Sequence, residues 1–478
     1  MNNIYALSPV LIIVAASLLV LLLEVFIKKE NRNYLAYVSL VFLIACAAVC
    51  TQFWNKFYSY FDGNLILDNL SLFFSFILVL ATFLIILLSM KYLTLQDTNY
   101  GEYYALLLFA LSGMIIMVSS RDLIVIFLGL EVLSISSYAL AGLRRNDEKS
   151  SEAAIKYFLL GSFATAFLVL GIALLFGAAQ STGIGSLVEY FQSESPLSLM
   201  ALVGLGLVVI GFGFKIAVVP FHMWTPDVYQ GAPTPITAFF SVGPKAVGFV
   251  VLLRIFYPYF EEALDSQLIF TLLWIVAVLT MIVGNLIALR QTNVKRILAY
   301  SSIAHAGYLM VAILASDRES LVFYLTVYLF MNIGAFASVI ALGRKDHEYL
   351  ELEDYRGIGF KYPWIGATFS VFLISLAGFP PTGGFLAKFY VFSAAVRQGL
   401  VSLVIIGVLA SLVSVFYYLR IVVMMYMREP AYEIDINIDN PGLFLVLFLC
   451  LYGVLQLGIF PGNILILIRQ AVSSFPLL

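Results

Sequence analysis

The chain has 478 residues, 62% of them hydrophobic and 11% charged, with a mean hydropathy of +1.01 and a formal net charge of −2. Soluble domains carry about 25% charged residues, so this composition excludes a globular protein of the aqueous phase and marks an integral membrane protein. A near-neutral charge without a basic block excludes nucleic acid as a partner.

At about 1.5 Å per residue, roughly 20 apolar residues cross a ~30 Å hydrocarbon layer. Apolar runs bounded by charged or Gly/Pro clusters predict spans near 9–27, 34–53, 66–90, 103–119, 122–142, 152–179 and 197–229. The series continues with 234–257, 268–288, 295–314, 319–342, 361–398, 401–427 and 442–460, fourteen in all. The predicted fold is therefore an all-α polytopic membrane protein. Residues 9–27 have no basic segment before them and no small-residue cleavage site after them, which predicts a retained first span rather than a signal peptide. Near its end, Glu24 and Lys28 at i,i+4 predict an ordinary helix-end pair. Cys46, Cys50 and Cys450 lie in apolar runs without a C-x-x-C spacing or a His partner. They predict small buried hydrophobes, with no disulfide, zinc or iron–sulfur site.

An even count puts both termini on one side. Loops after odd-numbered spans carry Lys28, Lys29, Arg32, Lys91, Arg144, Arg145, Lys149, Arg290, Lys295, Arg296, Arg344, Lys345, Arg356, Lys361 and Arg428. The other side has Lys56, Arg121, Arg254, Arg318, Arg397 and Arg469, and fifteen against six predicts cytoplasmic odd loops and periplasmic termini.

Four charges interrupt long apolar runs: Glu131, Lys215, Lys245 and Lys388. A charge at mid-bilayer costs roughly 2.5–3.5 kcal/mol on the insertion scale, so such residues face a bundle interior or a wet cavity and mark function. Two of the runs, 197–229 and 361–398, are too long for one crossing and carry Pro220 and Pro226, and Gly378, Pro380, Pro381, Gly383 and Gly384. Proline removes a backbone donor and clashes with the preceding turn, so both are predicted to break. Interrupted spans at corresponding places in two halves predict inverted repeats. Glu131 precedes Lys215 by 84 residues and His305 precedes Lys388 by 83. The predicted organisation is three N-terminal spans in 1–102, a first five-helix unit in 103–257, a second, inverted, in 258–427, and the last span in 428–478.

The stretch FKIAVVPFHMWTPDVYQGAPTPITAFFSVGPKAVGFV at 214–250 resembles the signature of the antiporter-like subunits of respiratory complex I. EVLSISSYALAG at 131–142 resembles their fifth helix and AGFPPTGGFLAKFYVF at 377–392 their broken twelfth. The form is nearest to the N-type branch. The M type is expected to carry glutamate where Lys388 stands, and the L type a long lateral helix that this sequence lacks. The resemblance spans essentially the whole chain and implies a proton-translocating subunit of a bacterial NADH-quinone oxidoreductase in the cell inner membrane. It implies partner membrane subunits, sister antiporter-like subunits among them. NADH, FMN, iron–sulfur clusters and quinone are expected on those partners and no cofactor on this chain. The sequence agrees: it has no phosphate-binding G-x-x-x-x-G-K-[ST], and its three histidines at 222, 305 and 347 form no haem pair.

Within this reading Glu131 is the expected partner of Lys215. At ~6 Å and an effective dielectric of ~20 their attraction is ~2.8 kcal/mol, enough to couple separation of the pair to proton release. Lys245 is the expected central relay and Lys388 the terminal, outward-side amine. His305 suits a relay between them, or is a satisfied core histidine. His222 either guides proton entry or bonds loosened backbone. Lys156 either couples to a neighbouring subunit or snorkels to headgroups. A subunit of a cation/proton antiporter and a non-pumping structural subunit are the competing functions. Cation binding would call for carboxylates or clustered carbonyls.

Overall fold

The computed structural model describes residues 7–193, 197–262, 267–344, 348–430 and 440–473; Lys345, counted above among the loop charges, lies outside them. Helices α1 (Ser8–Glu24), α2 (Asn33–Gln52) and α3 (Asn69–Leu95) open the chain, with a hairpin of β1 (Tyr58–Tyr60) and β2 (Leu65–Leu67) before α3. Next come α4 (Glu102–Ser119), α5 (Leu123–Ala141), α6 (Glu148–Ala179), the short α7 (Ile184–Ser193), α8 (Leu199–Ile216), α9 (Thr225–Gly231) and α10 (Thr234–Glu262). They are followed by α11 (Gln267–Ala288), α12 (Val294–Leu314), α13 (Arg318–Ala341), α14 (Ile358–Lys361), α15 (Pro363–Ala377), α16 (Gly383–Arg397) and α17 (Val401–Met427). The chain closes with α18 (Pro441–Ile459) and α19 (Gly462–Ser473). Twelve of these helices are long and apolar enough to cross a membrane. α1, α15 and α16, at 17, 15 and 15 residues, are shorter.

Helical entry is set by acid and amide caps. Asp68, Asp122, Asp147, Asn293, Asp317 and Asn440 each accept a backbone N–H from the first turn of the helix that follows. Each satisfies a donor that hydrocarbon could not, a contribution of ~1 kcal/mol. The helices differ in where they sit. The apolar windows of α10 and α12 are 100% buried, whereas those of α6 and α17 are 33% buried. The first pair is therefore the spine of the bundle and the second its exposed flank. Close approach depends on small residues, as at the α4–α5 crossing, where a Cβ on Gly113 would stand 2.5 Å from the Gly129 carbonyl oxygen.

Both long runs break as proline chemistry requires. α8 ends at Ala217 (φ +61°) and α15 at Gly378 (φ +92°), each in the left-handed region and each with its N–H closing the preceding turn. Pro226 does not break anything. It occupies the first turn of α9, where a missing N–H costs nothing. The unit boundary expected at 257 falls inside α10, which continues through Pro244 and Pro258 to Glu262.

Three charges sit differently from expectation. Glu24 pairs with Arg32 at 2.8 Å rather than with Lys28. Arg254 is buried within α10, not in a loop. Lys295 is buried in the first turn of α12 and donates to the Ala232 carbonyl at 2.7 Å. The last of these belongs to a clasp at one end of the spine. Glu348, in the segment after α13, accepts from Arg144 (2.8 Å), from the Tyr92 hydroxyl (2.8 Å) and from the Thr234 hydroxyl. This ties α3, the α5–α6 connection and the start of α10 to one carboxylate.

Burial pushes the Glu348 carboxyl up, but the charges of Arg144 and Lys295 and the hydrogen bonds from Thr234 and Arg144 outweigh it and hold it at about 2. Because the folded value lies below the ordinary 4.5, the carboxylate's contribution is complete above about 4.5 and is lost as pH falls through about 2. Glu348→Gln should lower the unfolding midpoint of the detergent-solubilised protein at neutral pH, since breaking a buried pair costs ~3–5 kcal/mol. It should also flatten the acid-side decline, and an equally steep decline in both proteins would rule out this role.

Candidate functional site

Lys215, Lys245, Lys388 and His305 are 4%, 2%, 6% and 1% exposed. The fold supplies each with partners in a different way. Lys215, in the last turn of α8, donates to the Ser134 hydroxyl on α5 at 3.0 Å. Ser134 lies one turn along α5 from Glu131, whose Oε1 accepts from the Thr165 hydroxyl on α6 at 2.9 Å. Glu131 and Lys215 are close enough to act on each other electrostatically. They form no direct ion pair, however, and Ser134 holds the amine. The Lys215 ammonium also lies 5.8 Å from the Tyr157 ring centroid. Tyr157 stacks on Trp224 at 4.4 Å and 7°, and the Trp224 indole N–H donates to the Phe214 carbonyl at 2.9 Å. The broken end of α8 is thus closed by a residue from beyond the break.

Lys245, on α10, donates to both the hydroxyl and the carbonyl of Ser302 on α12. The Tyr328 hydroxyl on α13 donates to the same Ser302 hydroxyl at 2.9 Å, and Tyr229 of α9 approaches it at 3.5 Å. His305, one turn beyond Ser302, has its Nδ1 at 2.6 Å from the Tyr324 hydroxyl and its Nε2 at 3.3 Å from the Tyr418 hydroxyl. Its ring lies 5.2 Å from Tyr328 and 5.7 Å, edge to face, from Tyr308. Tyr418 bonds Ser301, and Asn285 links the Tyr308 and Tyr417 hydroxyls at 3.1 and 3.0 Å.

Lys388, in the second turn of α16, reaches back across the break. Its Nζ donates to the carbonyls of Leu376 (3.0 Å) and Ala377 (2.8 Å), at the end of α15, and to the Ser411 hydroxyl (2.8 Å). An ammonium there also meets the negative end of the α15 dipole. The same ammonium lies 5.1 Å from the Tyr308 ring centroid. Lys388 borders a cavity of about 680 Å³ whose other walls include Phe379, Phe389, Phe392, Ser411 and Leu412. Lys215 precedes its break and Lys388 follows the other one. The matched spacings of 84 and 83 residues therefore do not place the two lysines at equivalent points of the broken helices.

Lys156 lies on α6. Its ammonium pairs with Asp227 at 2.6 Å and Glu152 at 2.6 Å, and Asp227 also takes Arg296 at 2.7 Å, so α6, α9 and α12 meet in one ion network. His222 lies half-buried in the 217–224 break. The acid Asp227 and the hydroxyls of Ser134, Thr165, Ser302, Tyr324, Tyr328 and Tyr418 were not singled out by their sequence context. A signal existed for several of them. Ser301 and Ser302 stand one turn before His305, and Tyr324 and Tyr328 stand four apart, so each set shares a helix face. No group of His, Cys, Asp and Glu suited to a metal occurs among the described residues.

A family profile described as "NADH:quinone oxidoreductase/Mrp antiporter, TM" matches residues 120–414. NADH-quinone oxidoreductase subunit N of Trichlorobacter lovleyi is 45% identical over 476 residues, covering 98% of this chain and 97% of its own. NADH-quinone oxidoreductase subunit N 1 of Solibacter usitatus is 42% identical over 461 residues, covering 96% and 94%. Among solved structures, a chain of respiratory complex I from Thermus thermophilus, determined with bound aureothin, matches with a TM-score of 0.82 at 34% identity. The match covers 96% of this chain and 98% of that one.

Gly378 gives a direct check on the second break. A Cβ there would stand 3.0 Å from the Lys388 Cδ, on a backbone at φ +92° that side chains rarely adopt. Gly378→Ala should cost ~1–3 kcal/mol through that strain. It should appear as a lower unfolding midpoint, whereas an unchanged midpoint would mean that the break relaxes freely.

Proposed function

We propose a function from one premise: the chain belongs to the NADH:quinone oxidoreductase/Mrp antiporter transmembrane family, in its subunit N branch. It is a membrane-arm subunit of an NADH-quinone oxidoreductase. It sits among the other membrane-arm subunits of that translocase and contributes to proton translocation driven by NADH oxidation and quinone reduction elsewhere in the complex. It brings no redox centre of its own. The bacterial inner membrane is its site.

The proton path runs along the buried line. Protons enter on the cytoplasmic side near the α8–α9 break and load Lys215, whose charge Glu131 favours. They pass by Tyr157, Tyr229 and Ser302 to Lys245, then by Tyr328, His305 and Tyr308 to Lys388, and leave on the opposite side. The observation that carries this reading is the run of buried polar side chains from Lys245 to Lys388. Ser302, Tyr328, His305, Tyr418 and Tyr308 stand in hydrogen-bond or ring contact along it. A hydroxyl both donates and accepts, and an imidazole does so at its two nitrogens, so such a line can hand a proton on. His305 is then a working member, and the lysine-rich chemistry favours protons over metal ions.

The architecture that serves this path has fourteen crossings. They are the twelve long helices, with α8 continued by α9, together with α1 and the α15–α16 pair. Helices α4–α10 and α11–α17 form two inverted five-span units, supported by a left-handed cap at the break in each. Both termini lie on the periplasmic side, as the loop charges require.

Lys215→Ala in the intact complex should abolish most proton pumping per NADH while leaving the complex assembled. Pumping at the wild-type ratio in a fully assembled Lys215→Ala complex would refute the relay.

A further inference from the structure

Lys245 has two directions open to it along the bundle. Toward Lys388 the neighbours are hydroxyls and an imidazole. Along its own helix toward the end of α10 they are the side chains of Ala246–Leu253, among which Val247, Phe249, Val250 and Val251 are fully buried. Nine residues beyond Lys245, roughly 13 Å along the helix axis at ~1.5 Å per residue, stands Arg254, one of the largest fully buried side chains among the described residues. Its Nη2 lies 3.3 Å from each oxygen of Asp68 and 2.9 Å from the Val118 carbonyl. Asp68 is immobilised in turn, because its carboxylate caps α3 through the Ser71 N–H at 2.7 Å. Arg121, half-exposed at the same end, is close enough to act electrostatically on both.

We propose that Arg254, fastened by Asp68, is a fixed positive barrier that closes the short axial route from Lys245 to the outer face and so forces protons sideways to Lys388. The proposal rests on the relay reading and adds to it the element that prevents a leak. Apolar packing resists wetting, and a guanidinium repels an approaching protonated water chain, as arginine does in water pores that exclude protons. Asp68 accompanies the buried charge, its oxygens engaged by the guanidinium and by the α3 cap.

The test uses closed vesicles holding the complete oxidoreductase. In the absence of NADH, Arg254→Gln and the paired variant Asp68→Asn/Arg254→Met should dissipate an imposed pH gradient several-fold faster than wild type. Uncoupled NADH oxidation should be unchanged, and Arg254→Lys should stay tight. Adding Lys245→Met to Arg254→Gln should restore tightness, because the leak passes through that amine. Wild-type tightness in assembled Arg254→Gln and Asp68→Asn/Arg254→Met complexes overturns the barrier, and so does a leak that Lys245→Met leaves in place. Failure of all the Arg254 variants to assemble, Arg254→Lys included, also overturns it by making the pair purely structural. Normal pumping by Lys215→Ala rejects the relay instead, whatever the leak measurements show.

Discussion

An ammonium group sealed inside a helical bundle must find acceptors, and an unbroken helix has few to spare because its carbonyls already bond N–H groups one turn on. The fold of this chain is organised around that constraint. Lys388 is satisfied only because α15 stops at Gly378 and leaves the carbonyls of Leu376 and Ala377 open. Lys295 is satisfied by the Ala232 carbonyl, left open where α9 ends before α10 begins. Lys245, in an unbroken helix, takes the hydroxyl and carbonyl of a serine on the facing one. The helix breaks are therefore part of the amine-binding chemistry, and the prolines and glycines that cause them belong to the site as much as the lysines do.

Most of the elements were legible because hydrophobic run length and charge punctuation respond directly to the bilayer. The expected 401–427 coincides with α17, 103–119 misses α4 by one residue at its start, and 122–142 overshoots α5 by one residue at each end. Proline was the weak signal. Pro220 and Pro380–Pro381 do lie in breaks, yet Pro226 starts a helix and Pro244 and Pro258 sit inside one. Whether a proline breaks a span depends on neighbours that satisfy the freed carbonyl, and a single chain read as a string does not display them. The hairpin and α7 escaped notice because they are short and lie between spans.

The candidate site divides along the same line. Lysines and a glutamate in apolar runs announce themselves by their cost, so Glu131, Lys215, Lys245 and Lys388 could be picked out individually. Serines and tyrosines carry little cost in a membrane helix when a backbone carbonyl or another hydroxyl is in reach, so Ser302, Tyr324, Tyr328 and Tyr418 stayed hidden among many similar residues. Their importance is a matter of convergence, since α12, α13 and α17 each contribute to one cluster around His305. Asp68 and Arg254, 186 residues apart, show the same blindness for charge pairs: Arg254 was placed by its neighbours in sequence, and only folding brings it to Asp68.

Seen from Lys245, these choices have a direction. On one side the residues facing the amine are hydroxyl-bearing, and each can exchange the donor role for the acceptor role without moving its heavy atoms far. On the other side α10 offers only hydrocarbon until it reaches the Arg254 guanidinium. A pump needs both properties, because a conducting line that also communicated directly with the outer face would dissipate the gradient it builds. In the proposed path they are separated along a single helix, with an amine at Lys245 and a guanidinium at Arg254. On that reading the chemical difference between lysine and arginine becomes the difference between a relay and a stop.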